Sequence, residues 1–285
     1  MQTPNAPDLT NIRELKRIER LFQTHARSEF SQHWLIDRGT LDIITEESGV
    51  HAGIAALELG AGFGALTIEL ARKAKRVFAV EIENAAIEAL QYTTQSFSNI
   101  TIVREDLLKL RPEELFGGEP YVVAANLPYA ITSKAIRYYL ETPQPPAHMT
   151  TLIQKEVAKR IIADDSHQSL LSLSVRMYAD ARIVADVPAH YFRPPPEVDS
   201  AVVGFHIRTP AIQNSEVRSR VFQLAKYAFE QKRKQIHNIL QSRSGLPASM
   251  ILRWLEEASV APDRRPQTLS IAEWERLVEM EPRKI

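Results

Sequence analysis

Three of the ten glycines in this 285-residue chain fall within five positions, at Gly60, Gly62 and Gly64 of the run LELGAGFG. Glycine in such a run lets the backbone turn sharply and approach a ligand closely, because it carries no Cβ and tolerates positive φ. Acidic residues stand around it: Glu58 just before the run, Glu81 at 17 residues after Gly64, and Asp106 further along. Each falls at or near the end of a short apolar stretch. A carboxylate at Glu81 could accept from both hydroxyls of a ribose, and one at Asp106 from an adenine amino group. Three carboxylates around one pocket repel a polyphosphate and suit a cation. The spacing GxGxG also differs from the GxGxxG of a dinucleotide fingerprint. These features point to a sulfonium-bearing nucleoside, S-adenosyl-L-methionine, rather than NAD or ATP. Taken singly, each acid reads equally well as a helix cap or solvated loop residue, and the glycine run as a tight turn.

A second constellation is Asn126-Leu127-Pro128-Tyr129, at the end of the apolar run YVVAAN. An Asn amide oxygen and the Leu127 carbonyl can accept the two hydrogens of an exocyclic amine, whose lone pair is otherwise delocalised into its base. Pro128 fixes its own φ and biases Leu127 to an extended conformation, aiming that carbonyl. Tyr129 offers a face on which a base can stack. Such a site works by positioning and electrostatics, with no strong general base. The bland alternative is a β-turn, since Asn and Pro both favour turns.

The elements that must hold these residues alternate. AALEL (55–59), RVFAV (76–80), ITIVRE (100–105), YVVAAN (121–126) and MTTLIQ (149–154) read as buried strands. ALTIELARK (65–73), ENAAIEALQYTTQ (83–95), SKAIRYYLE (133–141) and KEVAKRIIA (155–163) read as helices between them. This order predicts a parallel sheet covered on both faces. The runs 181–188 and 200–208 have no clear helix between them and could close the sheet's edge as an antiparallel hairpin. Residues 11–24 carry Ile12, Leu15, Ile18 and Leu21 at helical spacing. After Thr209-Pro210 the pattern is wholly helical, with candidates at 215–230, 232–242, 248–258 and 270–280. The fold class is therefore α/β, with domains expected at 1–210, a Rossmann-like sheet behind an N-terminal helical extension, and 211–285, a small all-helical domain.

Lys and Arg total 35 and Asp and Glu total 35, so the whole molecule is not a polyanion magnet. From Ala211 to Ile285, however, 13 basic residues stand against 9 acidic ones. That surplus suits a polyanion held at one end, or is ordinary charge scatter. Cysteine is absent, which removes disulfides, thiolate metal sites and cysteine nucleophiles. No metal is expected. No apolar stretch approaches the ~18 residues of a membrane span, and MQTPNAPDLTNIRELKRIERL lacks the apolar core of a secretion signal. A cytoplasmic location follows as an expectation.

The stretches SQHWL (31–35), LELGAGFGALT (57–67), AVEIE (79–83), NLPY (126–129), LIQKEVAKR (152–160) and FRPPPEVDSAVV (192–203) carry a resemblance. Over roughly residues 20 to 280 the chain resembles the ribosomal RNA adenine dimethyltransferase family, which includes the macrolide-resistance methyltransferases. The resemblance implies a Rossmann-like S-adenosylmethionine-dependent methyltransferase sheet. It implies that SQHWL wraps over the cofactor, making Gln32, His33 and Leu35 cofactor contacts beside the three glycines. Glu81 is then the ribose carboxylate, Asp106 the adenine partner, and Asn126 is shared by cofactor pocket and target amine. Phe192 is implied as a second aromatic wall around a flipped adenine. Departures from the family pattern include Ser31 in place of a usual Gly, Glu29 among usually basic residues, and His33 where Asn is frequent.

The pieces AKYAFEQKRKQIHNIL (225–240) and RPQTLSIAEWERLVE (265–279) are similar to the small-subunit branch. That branch dimethylates two adjacent adenosines in a hairpin loop near the 3′ end of small-subunit (16S) rRNA. By this resemblance Lys226, Lys232, Arg233, Lys234 and Arg243 grip the RNA backbone. The partner is then small-subunit rRNA in a 30S precursor, approached by a monomer during ribosome biogenesis. A large-subunit (23S) enzyme conferring macrolide resistance, an assembly factor with secondary methylation, and a DNA or small-molecule methyltransferase remain alternatives.

Overall fold

The computed structural model describes residues 6–24, 32–163 and 168–282. Glu29 and Ser31 lie outside the described residues. In chain order the elements are α1 (Ile12–Leu21), β1 (Trp34–Leu35), α2 (Arg38–Glu47), β2 (Ala55–Leu59), α3 (Ala65–Lys73), β3 (Arg76–Glu81) and α4 (Asn84–Thr94). Next come β4 (Ile100–Arg104), α5 (Pro112–Phe116), β5 (Tyr121–Asn126), α6 (Thr132–Glu141), β6 (His148–Gln154), α7 (Lys155–Ile161) and α8 (Leu170–Tyr178). The rest are β7 (Ala179–Val187), β8 (Phe192–Arg193), β9 (Ser200–Ile207), α9 (Ser215–Phe229), α10 (Ile236–Ser244), α11 (Ala248–Glu257) and α12 (Ile271–Glu279).

Seven strands form one sheet in the order β4-β3-β2-β5-β6-β9-β7. The first five are parallel, with Ala55 opposite both Arg76 and Tyr121. β9 runs antiparallel to β6 and β7 takes the edge, so the two late apolar runs do close that side. β2 is buried from end to end and β5 is buried up to Asn126, as apolar runs covered on both faces must be. Leu57, Leu59, Val77, Val122 and Val123 are fully enclosed. A second, two-stranded sheet pairs β1 with β8 antiparallel, Trp34 opposite Arg193 and Leu35 opposite Phe192.

The chain divides into two compact units, residues 1–159 with 180–207, and residues 160–179 with 208–285. The segment 160–179, which carries α8, thus groups with the C-terminal helices, although its place in the sequence precedes the last strands. In this second unit α9 packs on α8 and α12, and α10 on α11. Trp254 and Trp274 are buried there, and the Trp254 indole donates to the Leu277 carbonyl at 2.8 Å. α12 opens on a capping box in which Ser270 and Glu273 satisfy each other's backbone N–H. The helix expected from 232 starts only at Ile236; residues 230–234 form a turn. Lys232, Arg233 and Lys234 therefore sit on a loop and not on a helix face.

Candidate active site at the carboxyl ends of the strands

A cavity of about 800 Å³ opens where β2, β3, β4 and β5 end. That is the crevice an open parallel sheet presents to nucleotides, and the volume is within the usual range for such ligands. Glu81, Asp106, Asn126 and Gly60 all line it, as do Gln32, His33 and Leu35 from the segment before α2.

The three glycines divide by role. All have positive φ, +72° at Gly60, +54° at Gly62 and +94° at Gly64. Only Gly60 lines the cavity, and a Cβ there would meet nothing nearer than Pro128 at 3.8 Å, so its bareness leaves a cradle. Gly62 is required by Trp34 and Gly64 by Leu90, whose atoms a Cβ would approach to 2.4 and 2.7 Å. These two serve packing against protein, where the sequence suggested approach to a ligand.

The acids divide likewise. Both carboxylate oxygens of Glu81 are held by backbone: Oε2 accepts from Gly62 at 2.9 Å, and Oε1 from Ile82 and Glu83 at 2.7 and 3.0 Å. The side chain is thereby fixed at the tip of β3. Asp106 Oδ1 accepts from the Leu108 N–H at 2.9 Å. Ile82 and Leu107 supply apolar surface of the cavity beside these two carboxylates. Glu58 departs from the expected ring of charge. It is buried, accepts from the Thr67 hydroxyl, and burial together with the Glu81 charge pushes its carboxyl up to about 8. Burial thus holds it toward the uncharged form at neutral pH, and the other acidic side chains lining the pocket are Glu81, Glu83, Glu105 and Asp106.

At the end of β5 the Asn126 amide donates through Nδ2 to the His33 carbonyl at 3.0 Å. A carbonyl only accepts, so the NH₂ group must face His33 and Oδ1 is left as the amide's acceptor. Leu127 is buried and donates its N–H to Leu152 at 3.2 Å. Thr132 closes the corner by donating to the Pro128 carbonyl at 3.1 Å. The Tyr129 hydroxyl shares a 2.8 Å hydrogen bond with Ser200 at the start of β9. Burial pushes its phenol above the ordinary value, so it stays protonated. Trp34 packs on Phe63 with ring centroids 4.4 Å apart, and Gln32 donates to Glu83 at 3.0 Å.

Phe192 is not at the cavity. It pairs with Leu35 through β8 and belongs to the buried cluster with Leu35, Leu41 and Val202. The expected second aromatic wall is thus a core ring, held there because β8 turns it inward under the segment at 34–35. The aromatic surface the cavity does carry comes from Tyr129, His33, Trp34 and Phe63. Ser200 and Pro194 belong to the stretch FRPPPEVDSAVV, but the sequence does not show that they hold Tyr129 and the His33 ring, since those partners lie 71 and 161 residues away.

In the second unit Lys226, Lys232, Arg233 and Lys234 are exposed. Arg243 is half-buried and bound to Glu281 at 2.8 Å, and Arg220 holds the other oxygen of the same carboxylate. The charge of Arg243 is thus met within the fold, whereas among the described residues Lys232 and Lys234 form no ion pair. Among the described residues there is no cluster of metal-ligating side chains and no helix long and apolar enough to cross a membrane.

A sheet of this order, with a carboxylate-lined nucleoside cavity at its strand ends and an Asn-Leu-Pro-Tyr corner on the fourth parallel strand, defines a Rossmann-like S-adenosylmethionine-dependent methyltransferase. Residues 23–280 match the family described as ribosomal RNA adenine dimethylase, and the chain belongs to that family. It is 38% identical over 274 residues to the ribosomal RNA small subunit methyltransferase A of Dehalococcoides mccartyi (strain CBDB1), covering 96% of this chain and 94% of the relative. The protein of the same name from Staphylococcus aureus (strain JH9) is 37% identical over 263 residues, 89% of each chain. Among solved structures, the 23S rRNA methyltransferase ErmE superposes with a TM-score of 0.67 at 27% identity, covering 87% of this chain and 98% of that one. A dimethyladenosine transferase from Plasmodium falciparum gives 0.73 at 24% identity, covering 86% and 96%, and speaks to the fold.

Proposed function

We propose that this rRNA adenine dimethyltransferase methylates the N6 amines of two adjacent adenosines in the 3′-terminal hairpin loop of small-subunit rRNA during ribosome biogenesis. The observation that carries the chemistry is the Asn126 amide, which lines the cavity and is turned by its bond to the His33 carbonyl so that Oδ1 remains as its acceptor. The small-subunit choice is supported by the names of the relatives at 37–38% identity. The reading takes the protein as a monomer working in the cytoplasm.

The donor set fits S-adenosylmethionine. One fixed carboxylate, a second carboxylate, apolar surface beside both, a bare glycine and a volume of about 800 Å³ suit a nucleoside with an amino-acid tail. When bound, that cofactor supplies an electrophilic methyl group on a sulfonium. Glu81 would accept from the ribose hydroxyls, Asp106 from the adenine amine, and Gln32, Leu35 and the backbone of His33 would cover the site. The protein's part in the reaction is to make a poor nucleophile better. Accepting the two N6 hydrogens at Asn126 Oδ1 and at the Leu127 carbonyl draws the nitrogen out of conjugation. Tyr129 offers its face to the base. All of this is positioning and electrostatics.

The test is incubation of unmethylated 30S particles and of 50S particles with labelled cofactor, followed by nucleoside analysis and primer extension. N6,N6-dimethyladenosine at neighbouring positions of the 16S 3′ hairpin is expected. Label confined to 23S rRNA would establish the large-subunit alternative, and no label in either would leave an assembly factor.

A further inference from the structure

Three contacts meet on His33. Its carbonyl accepts the Asn126 side-chain amide at 3.0 Å. Its ring Nδ1 stands 2.8 Å from the Pro194 carbonyl, and its ring lies against Tyr129 with centroids 5.5 Å apart. Because a carbonyl has no proton to give, Nδ1 carries the hydrogen and donates it.

The bond to Pro194 has a structural reason. β1 and β8 pair antiparallel, Trp34 with Arg193 and Leu35 with Phe192, and the Ile36 N–H continues the ladder to Tyr191 at 2.9 Å. The same register sets residue 33 opposite residue 194. With Ile36 bonded to Tyr191, the alternation of an antiparallel ladder makes 33/194 a pair without backbone hydrogen bonds. The imidazole supplies a contact there by donating to the Pro194 carbonyl, one residue beyond the pairing and at the point where the His33 carbonyl meets Asn126. The far end of the same connection returns to the corner through Ser200 and the Tyr129 hydroxyl.

We propose that His33 is a positioning residue: its Nδ1–H to the Pro194 carbonyl fixes the backbone carbonyl that orients the Asn126 amide toward the target amine. This rests on the function proposed above, but it differs from the cofactor contact the resemblance implies, because it acts through Asn126. An amide at position 33 can replace the imidazole, since its nitrogen stands as many bonds from Cα as Nδ1 does. A phenyl ring can keep the contact with Tyr129 but not the hydrogen bond.

The experiment compares wild type, His33→Phe and His33→Asn on unmethylated 30S particles, with S-adenosylhomocysteine affinity measured in parallel by calorimetry. Wild-type methylation of the particles tests the functional reading by itself. Given that, His33→Phe is expected to lower kcat about tenfold, the order of one misplaced hydrogen bond, with KM for the particle and affinity for S-adenosylhomocysteine near wild type. His33→Asn should restore most of the loss. The proposal is overturned if His33→Phe turns over like wild type, if its loss lies in S-adenosylhomocysteine affinity, or if His33→Asn falls with it. Should His33→Phe not fold, His33→Leu takes its place with the same expected and overturning results.

Discussion

Cζ3 of Trp34 occupies the space a side chain on Gly62 would need, 2.4 Å from where its Cβ would stand. The φ of +54° at Gly62 adds backbone strain for any L residue. Gly62→Ala should therefore cost about 2–4 kcal/mol of stability in denaturant unfolding, the sum of overpacking and left-handed strain. Gly60→Ala, whose Cβ would face open cavity, should cost only about 1–2 kcal/mol while weakening S-adenosylhomocysteine binding. Equal destabilisation by the two would show that Trp34 does not lean on the loop.

Glu58 gives the protein a pH signature. Its carboxyl is pushed from the ordinary 4.5 up to about 8, first by burial and then by the Glu81 charge. A group that binds its proton more tightly when folded contributes stability that is full below the unfolded value and lost as pH rises through the folded one. Between about pH 4.5 and 8 this group therefore lowers stability by at most ~1.4 kcal/mol per pH unit. Glu58→Gln keeps an acceptor for Thr67 and removes the titration. The variant should gain on wild type as pH rises across that window, in urea unfolding at several pH values. Parallel curves would place a charged carboxylate at Glu58.

Tyr129 has a separable ring and hydroxyl. Tyr129→Phe loses the 2.8 Å bond to Ser200 and should reduce kcat/KM only a few-fold, in keeping with ~0.5–1.5 kcal/mol for one neutral hydrogen bond. Tyr129→Ala loses the stacking face, worth ~1–3 kcal/mol, and should reduce it by roughly one to two orders of magnitude. If Phe and Ala behaved alike in steady-state assays on 30S particles, the face would not be what matters.

The basic residues should part company in a salt titration. Reversing Lys232, Arg233 and Lys234, all exposed on the turn after α9, should weaken RNA binding and flatten the dependence of log K on log salt, by ~0.7–0.9 for each phosphate that is no longer neutralised. Arg243→Ala should leave that slope nearly unchanged and instead lower stability by about 0.5–1 kcal/mol, because it breaks a half-exposed pair with Glu281. An unaltered slope in the triple variant would put the RNA elsewhere.

The elements that read well from sequence are those whose pattern is set by burial. β2, β5 and α3 have the limits the apolar runs suggested, since strands enclosed on both faces admit almost no polar residue. α2 was invisible because RGTLDIITEE buries two threonines beside Leu41 and Ile44, which breaks the apolar period. α8 was hidden by serines at 172 and 174 that are buried and bonded to backbone carbonyls. β1 and β8 are two residues long, too short for any period, yet they decide that Phe192 is core. At the site, the residue types at Glu81, Asp106 and Asn126 were legible from chemistry and position. The uncharged state of Glu58, the packing duty of Gly62 and Gly64 and the two ties at Pro194 and Ser200 depend on distant neighbours, and no local spacing encodes those.

The central claim is that one cavity holds the cofactor on Glu81 and presents it to the Asn126 corner. The most direct measurement is a co-crystal with S-adenosylhomocysteine, refined beside calorimetry on Glu81→Ala. Expected are ribose hydroxyls on the Glu81 carboxylate, the sulfur turned toward Asn126, and an affinity loss of ~1.5–3 kcal/mol in the variant. A ligand bound away from Glu81, with unchanged affinity in Glu81→Ala, would contradict the claim.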